Sequence, residues 1–132
     1  MFQPFYITNF QEIFGTEPHP ADGLGDEAVQ SRLAQRRLWI PTALFDYYSL
    51  LGYNRITAQQ KRLRTIEELD WHENWLVFMD DGHGIVSWGI HRRDLDDLDP
   101  VVWQGLHGEE MEWAPETSTV SQFLVEMWRE II

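Results

Sequence analysis

The sequence predicts a single-domain α+β fold: a central, mainly antiparallel sheet with helices packed against it and an amphipathic C-terminal helix. Three observations predict it. Apolar residues recur at helical spacing in the first half, the period changes from 3.6 towards 2 after residue 74, and a second helical pattern closes the chain. A length of 132 residues suits one domain, because folding at that size buries roughly two thirds of the surface an unfolded chain exposes. The domain is expected to span 1–132, with 1–39 as its least defined, helical part.

Taken in order, Asn9-Phe10-Gln11-Glu12 has the form of a capping box, in which the first side chain takes an orphan amide and the Glu reaches back. It predicts a short first helix with Phe10, Ile13 and Phe14 on one face and Gly15 as its stop. Residues 15–25, holding two Pro and three Gly, read as loop. Asp26 is expected to cap a second helix reaching about Arg37, with Val29 and Leu33 inward. Pro41 opens a third, where its fixed φ and missing amide do no harm. There Leu44, Tyr47, Tyr48 and Leu51 share a face before Gly52. The stretch 53–64 carries Arg55, Lys61, Arg62 and Arg64 and has no clear period, and Thr65-Ile66-Glu67-Glu68 is a second capping box.

Trp75-Leu76-Val77-Phe78-Met79 is a continuous apolar run, as in a strand covered on both faces. Asp80-Asp81-Gly82-His83-Gly84 is turn chemistry, and in the following alternation Val86, Trp88 and Ile90 share a face, so the two runs predict a hairpin. Val101–Gln104 and Glu110–Trp113 are expected as two further short strands around a Gly-containing loop. Thr119 with Gln122 caps the last helix, whose Val120, Phe123, Leu124, Met127, Trp128 and Ile131 form the cleanest amphipathic pattern in the chain.

Charge is unevenly placed. The 22 Asp and Glu outnumber the 10 Lys and Arg, for a formal net charge of −12. Residues 1–66 hold 6 acids and 7 bases, whereas 67–132 hold 16 acids and only Arg92, Arg93 and Arg129 as bases. Such a field repels nucleic acid and anionic membrane and attracts a basic partner. Met1-Phe2-Gln3-Pro4-Phe5 lacks the basic start and apolar core of a secretory signal, and no apolar run approaches the roughly 18 residues of a membrane span, so a cytoplasmic location is expected.

Reactive constellations are sparse. There is no Cys for nucleophilic or metal chemistry, and the five His (19, 72, 83, 91, 107) are scattered without an H-E-x-x-H pair. Asp94-Leu95-Asp96-Asp97-Leu98-Asp99 lacks the central Gly and distal Glu of a calcium loop and reads as solvated. Asp80, Asp81 and His83 suit a tight turn better than acid–base work. Neither Ser49 nor Ser87 sits in a nucleophile elbow, and Gly82-His83-Gly84 is too short for a phosphate cradle. The basic run near Tyr53 reads as an ordinary solvated segment. No enzyme activity, metal or cofactor is expected. Of the seven tryptophans, Trp75, Trp88 and Trp128 are expected in the core, while the sides taken by Trp39, Trp71, Trp103 and Trp113 stay open.

The order of these signals resembles the SUKH superfamily of Smi/Knr-type domains. The likeness rests on Ile40-Pro41 through Leu51-Gly52, on Leu76-Val77-Phe78 followed by an acidic Gly turn and Val86-Ser87-Trp88-Gly89-Ile90, on Asp99-Pro100-Val101-Val102, and on Trp113 with the Phe123-Leu124 helix. It covers about 40–132; residues 1–39 match less well, and 53–64 lack the family's form. The resemblance implies an α+β fold with a mixed sheet and no established catalytic centre. It also implies an immunity protein that neutralises a toxin domain, often a nuclease, of a bacterial polymorphic toxin system. A regulatory or scaffolding domain, as among fungal members, is the alternative. A nuclease presents Lys and Arg to phosphates, so an acidic protein can occupy that surface. On this reading the contacts are Asp80, Asp81, Asp94, Asp96, Asp97, Asp99, Glu109 and Glu110, gathered on one exposed patch beside an aromatic anchor.

Overall fold

The computed structural model describes residues 1–54, 56, 58 and 60–131, so Arg55 of the basic run lies outside the described residues. Four helices, α1 (Gln3–Phe14), α2 (Asp26–Arg36), α3 (Thr42–Leu51) and α4 (Val120–Arg129), accompany six strands. The strands are β1 (Arg62–Leu63), β2 (Asp70–His72), β3 (Trp75–Asp80), β4 (Val86–His91), β5 (Val101–Leu106) and β6 (Glu112–Thr119). They form one sheet in the order β1-β3-β4-β5-β6, with β2 also paired to β3. Every described pairing is antiparallel, so the fold is the expected α+β one but the sheet is not the mixed sheet that the family likeness implied.

The helices follow their sequence signals closely except at the starts of α1 and α2. In α2, Asp26 is the first helical residue rather than the cap, and its carboxylate accepts from Ser49 Oγ. Helix α1 begins at Gln3, with Pro4 in its first turn, and Asn9 lies inside it with its side chain bonded back to the Phe5 carbonyl. The expected local cap is replaced by a distant one. The carboxylate of Asp46, buried on α3, accepts the Phe2 amide at 2.7 Å and places negative charge at the positive end of α1. Gly15 still ends the helix, at φ 78°, where a side chain would be strained. Both later capping boxes form as the sequence indicates, Thr65 with Glu68 over a short 3₁₀ turn and Thr119 with Gln122 at α4.

A single core fixes the layers. Tyr6, Phe10, Leu44, Tyr47, Phe123, Leu124 and Trp128 from the helices pack with Leu76, Phe78, Met79, Trp88, Ile90 and Val102 from the strands. Phe123 meets Phe78 edge to ring and Trp88 at a tilt of 47°, so α4 lies directly on β3 and β4. Ile131 departs from the expected inner face: α4 stops at Arg129 and Ile131 is 43% exposed. Because directly paired residues point to the same side, the register sends Trp75, Val77, Ser87, Gly89, Trp103, Gly105 and Trp113 to the opposite face of the sheet. None of the four helices covers that face.

Candidate functional site

The two faces of the sheet treat tryptophan differently. On the helix side, Trp88 donates its indole N–H to Glu116 Oε1 at 3.1 Å, and Trp128 donates to the Tyr47 hydroxyl at 3.1 Å. On the open side, the indole nitrogens of Trp75, Trp103 and Trp113 are shielded from water and have no hydrogen-bond partner. An unmet buried donor costs about 1–3 kcal/mol, so three in one cluster is a local concentration of unspent hydrogen bonding. Trp75 therefore corrects the expectation that placed it in the core: it is half-buried on the uncovered face.

Glycines allow this cluster to form. Trp113 stacks on Trp75 with ring centroids 4.7 Å apart and 7° between planes, and Trp103 meets Trp75 edge-on at 6.2 Å. The ring of Trp113 lies over Gly105 and Gly89; a Cβ at Gly105 would sit 2.9 Å from Trp113 Cη2 and 2.8 Å from Met111 Cε. His72, His91 and the Arg93 guanidinium border the same rings.

Beside the cluster, the β2–β3 turn and the β5–β6 loop enclose a crevice of about 470 Å³, lined by His72, Glu73, His107, Gly108, Glu109, Glu110 and Met111. Glu73, Glu109 and Glu110 are exposed, and none takes part in an ion pair among the described residues. Glu73 sits at φ 54°, in the left-handed region that a non-glycine residue occupies only at a cost. Sequence reading found Glu109 and Glu110 but missed Glu73, whose signal was a two-residue turn, Glu73-Asn74, between strands.

The eight carboxylates expected on one patch are divided between two ends of the sheet. Asp80, Asp81, Glu109 and Glu110 lie at the end where the His107 amide bonds the Ile85 carbonyl. Asp94, Asp96, Asp97 and Asp99 lie at the other end, beyond β4 and before β5, and six-residue strands separate the two groups by roughly 17 Å. Three of the eight have internal duties. Asp80 pairs with Arg64 at 2.6 Å and accepts from Ser87. Asp81 accepts the amides of His83 and Ile85 across the hairpin turn. Desolvation opposes its charge, but these amides, with those of Val86 and Gly84, hold its carboxyl below the ordinary range. Asp99 accepts from Thr119 Oγ1 at 2.9 Å and from the Ser121 amide at 2.8 Å, and also from Ser121 Oγ, which ties the β4–β5 connection to the start of α4. Asp94 lies 3.8 Å from Arg93, while Asp96 and Asp97 are exposed.

Part of the acidic half is neutralised by the other half of the chain. Arg32 pairs with Glu67, Lys61 with Glu130, Arg62 with Glu68 and Arg64 with Asp80. The described bases of the 53–64 run are thus engaged with carboxylates.

One polar network has the residue types of a hydrolase. Ser87 Oγ lies 2.7 Å from Asp80 Oδ1 and 2.8 Å from His107 Nε2. A hydroxyl has one proton, and the carboxylate, held by Arg64, can only accept it; His107 is then left to donate to Ser87. A nucleophile needs the reverse polarity, with the imidazole taking its proton. Ser87 is also only 2% exposed. This network ties β4 to β3 and to the β5–β6 loop. Among the described residues no three His, Asp or Glu side chains gather as a metal site requires, and no helix is long and apolar enough to cross a membrane. A separate hollow of about 560 Å³ lies between α2 and α3, next to the exposed Trp39, and its one carboxylate, Asp46, is already bonded to the start of α1.

Compared with models of known families, with curated proteins and with solved structures, the chain gives no match. The likeness to the SUKH superfamily therefore rests on the sequence motifs alone.

Proposed function

We propose that the chain is a binding protein that covers a cationic surface of another protein, as an immunity protein covers a toxin domain. The observation that carries this reading is the uncovered sheet face, where half-buried tryptophans adjoin a crevice bearing Glu73, Glu109 and Glu110. Apolar rings supply contact energy at the centre of an interface, and carboxylates at its rim supply orientation and speed. The net charge of −12 supports a basic partner over nucleic acid or an anionic membrane. A toxin as that partner, and action in the cytoplasm where such a toxin would be met, come from the family likeness.

The division of the acids narrows the expected contact. Glu109 and Glu110, joined by Glu73, form the rim of the interface, with Asp81 at its margin. Asp94 adjoins the same rings from the other end, since it lies 3.8 Å from the Arg93 that borders Trp103. Asp80 and Asp99 serve folding.

The test is growth rescue. Co-expressing the chain with a toxin domain encoded beside its gene should restore growth, and the purified pair should elute as one complex. Undiminished toxicity together with separate elution would contradict the reading.

A further inference from the structure

We propose that the open face recognises an extended, cationic protein segment: its main-chain carbonyls accept the indole N–H groups of Trp75, Trp103 and Trp113, and its Lys or Arg side chains enter the crevice of Glu73, Glu109 and Glu110. This rests on the binding role proposed above and specifies the chemistry of the occupant.

Three observations converge on it. The indole donors of the helix side, Trp88 and Trp128, have acceptors, while the three on the open side have none, so the missing groups are acceptors. The Trp113 ring lies over Gly105 and reaches Gly89, so neither glycine raises a side chain beside it. The neighbouring carboxylates have no ion-pair partner among the described residues, so the charge wanted at the margin is positive. A main chain with basic side chains offers both. Phosphate offers acceptors but meets carboxylates, and a second copy of this chain, also at −12, repeats the charge already present. The indole nitrogens are shielded from water in the unbound protein, so binding requires those rings to tilt outward.

The experiment is an NMR titration of the ¹⁵N-labelled protein, whose seven tryptophans give seven indole N–H signals. Single Trp→Phe variants assign them. The probes are a capped peptide of alternating Arg and Gly, and spermine, which has cations but no carbonyls. The expected result is that the peptide shifts the signals of Trp75, Trp103 and Trp113 and binds more tightly than spermine. Trp103→Phe should weaken the peptide roughly fivefold, about the value of one hydrogen bond, and leave spermine unchanged. Glu73→Gln with Glu109→Gln and Glu110→Gln should weaken both.

Peptide binding that leaves those three signals still, or is indifferent to Trp103→Phe, overturns the indole assignment and leaves the cationic-partner reading standing. Peptide affinity unchanged by the three Glu→Gln substitutions removes that reading as well. The same signals moving with a neutral oligosaccharide, or with the protein's own concentration, would assign the face to a sugar or to a second copy and overturn the proposal.

Discussion

Trp113 on β6 lies face to face with Trp75 on β3, although β4 and β5 run between those strands. Three strand steps span roughly 14 Å, and the gap closes because the rings lie along the sheet rather than standing on it. The two glycines beneath are the condition for that posture. Gly105→Val should lift Trp113 off the sheet, because the added Cβ starts 2.9 Å from its Cη2 and 2.8 Å from Met111 Cε. The expected loss is about 1–3 kcal/mol in urea unfolding, with a weakened near-ultraviolet dichroism signal. Gly108→Ala, whose nearest neighbour is 3.4 Å away, is the matched control and should change neither.

Asp99 was expected as a partner contact, and its bonds to Thr119 and Ser121 predict a different phenotype. Asp99→Ala should cost about 2–3 kcal/mol of stability, by leaving the first turn of α4 without its acceptor. Asp96→Ala, on the same connection and exposed, should stay within about 0.5 kcal/mol. Equilibrium unfolding of both variants reads the difference.

Acid sensitivity has an identifiable contributor in Glu68. The Thr65 amide, and then Arg62, lower its carboxyl from 4.5 to about 2. A carboxyl depressed by folding stabilises the protein above its unfolded value, and that contribution disappears as pH falls through the folded one. Stability should therefore drop between about pH 4.5 and 2. Glu68→Gln should lower stability at pH 6 and flatten that part of the profile. A wild-type profile equally flat across this window would count against the ion pair and cap.

Local signals were legible wherever their cause is local. Thr65 with Glu68, Thr119 with Gln122, and the Pro41 to Gly52 helix all depend on residues within a turn or two. The Asn9 box failed because a carboxylate 44 residues from Phe2 caps α1, and no window contains both. Strand β1 was missed since two residues carry no period, and β6 runs on through Pro115 because an edge strand tolerates a missing amide. Alternation showed that Trp75 and Trp88 belong to a hairpin, but not which face the helices would cover. The separation of the acids, by contrast, was within reach: in an antiparallel meander, the 81–85 turn and the 107–111 loop share one end, and 92–99 falls at the other.

The account turns on which face of the sheet meets the partner, and calorimetry of two charge-reversed proteins against a toxin domain that the chain neutralises tests it most directly. Glu73→Lys with Glu109→Lys and Glu110→Lys should weaken binding by at least about a hundredfold, since like charges then oppose across the contact. Glu12→Lys with Glu17→Lys, both exposed, on α1 and just after it on the helix side, should change it by less than about fivefold, through long-range steering alone. The opposite ranking, or equal losses from both proteins, would contradict a binding surface on the tryptophan face.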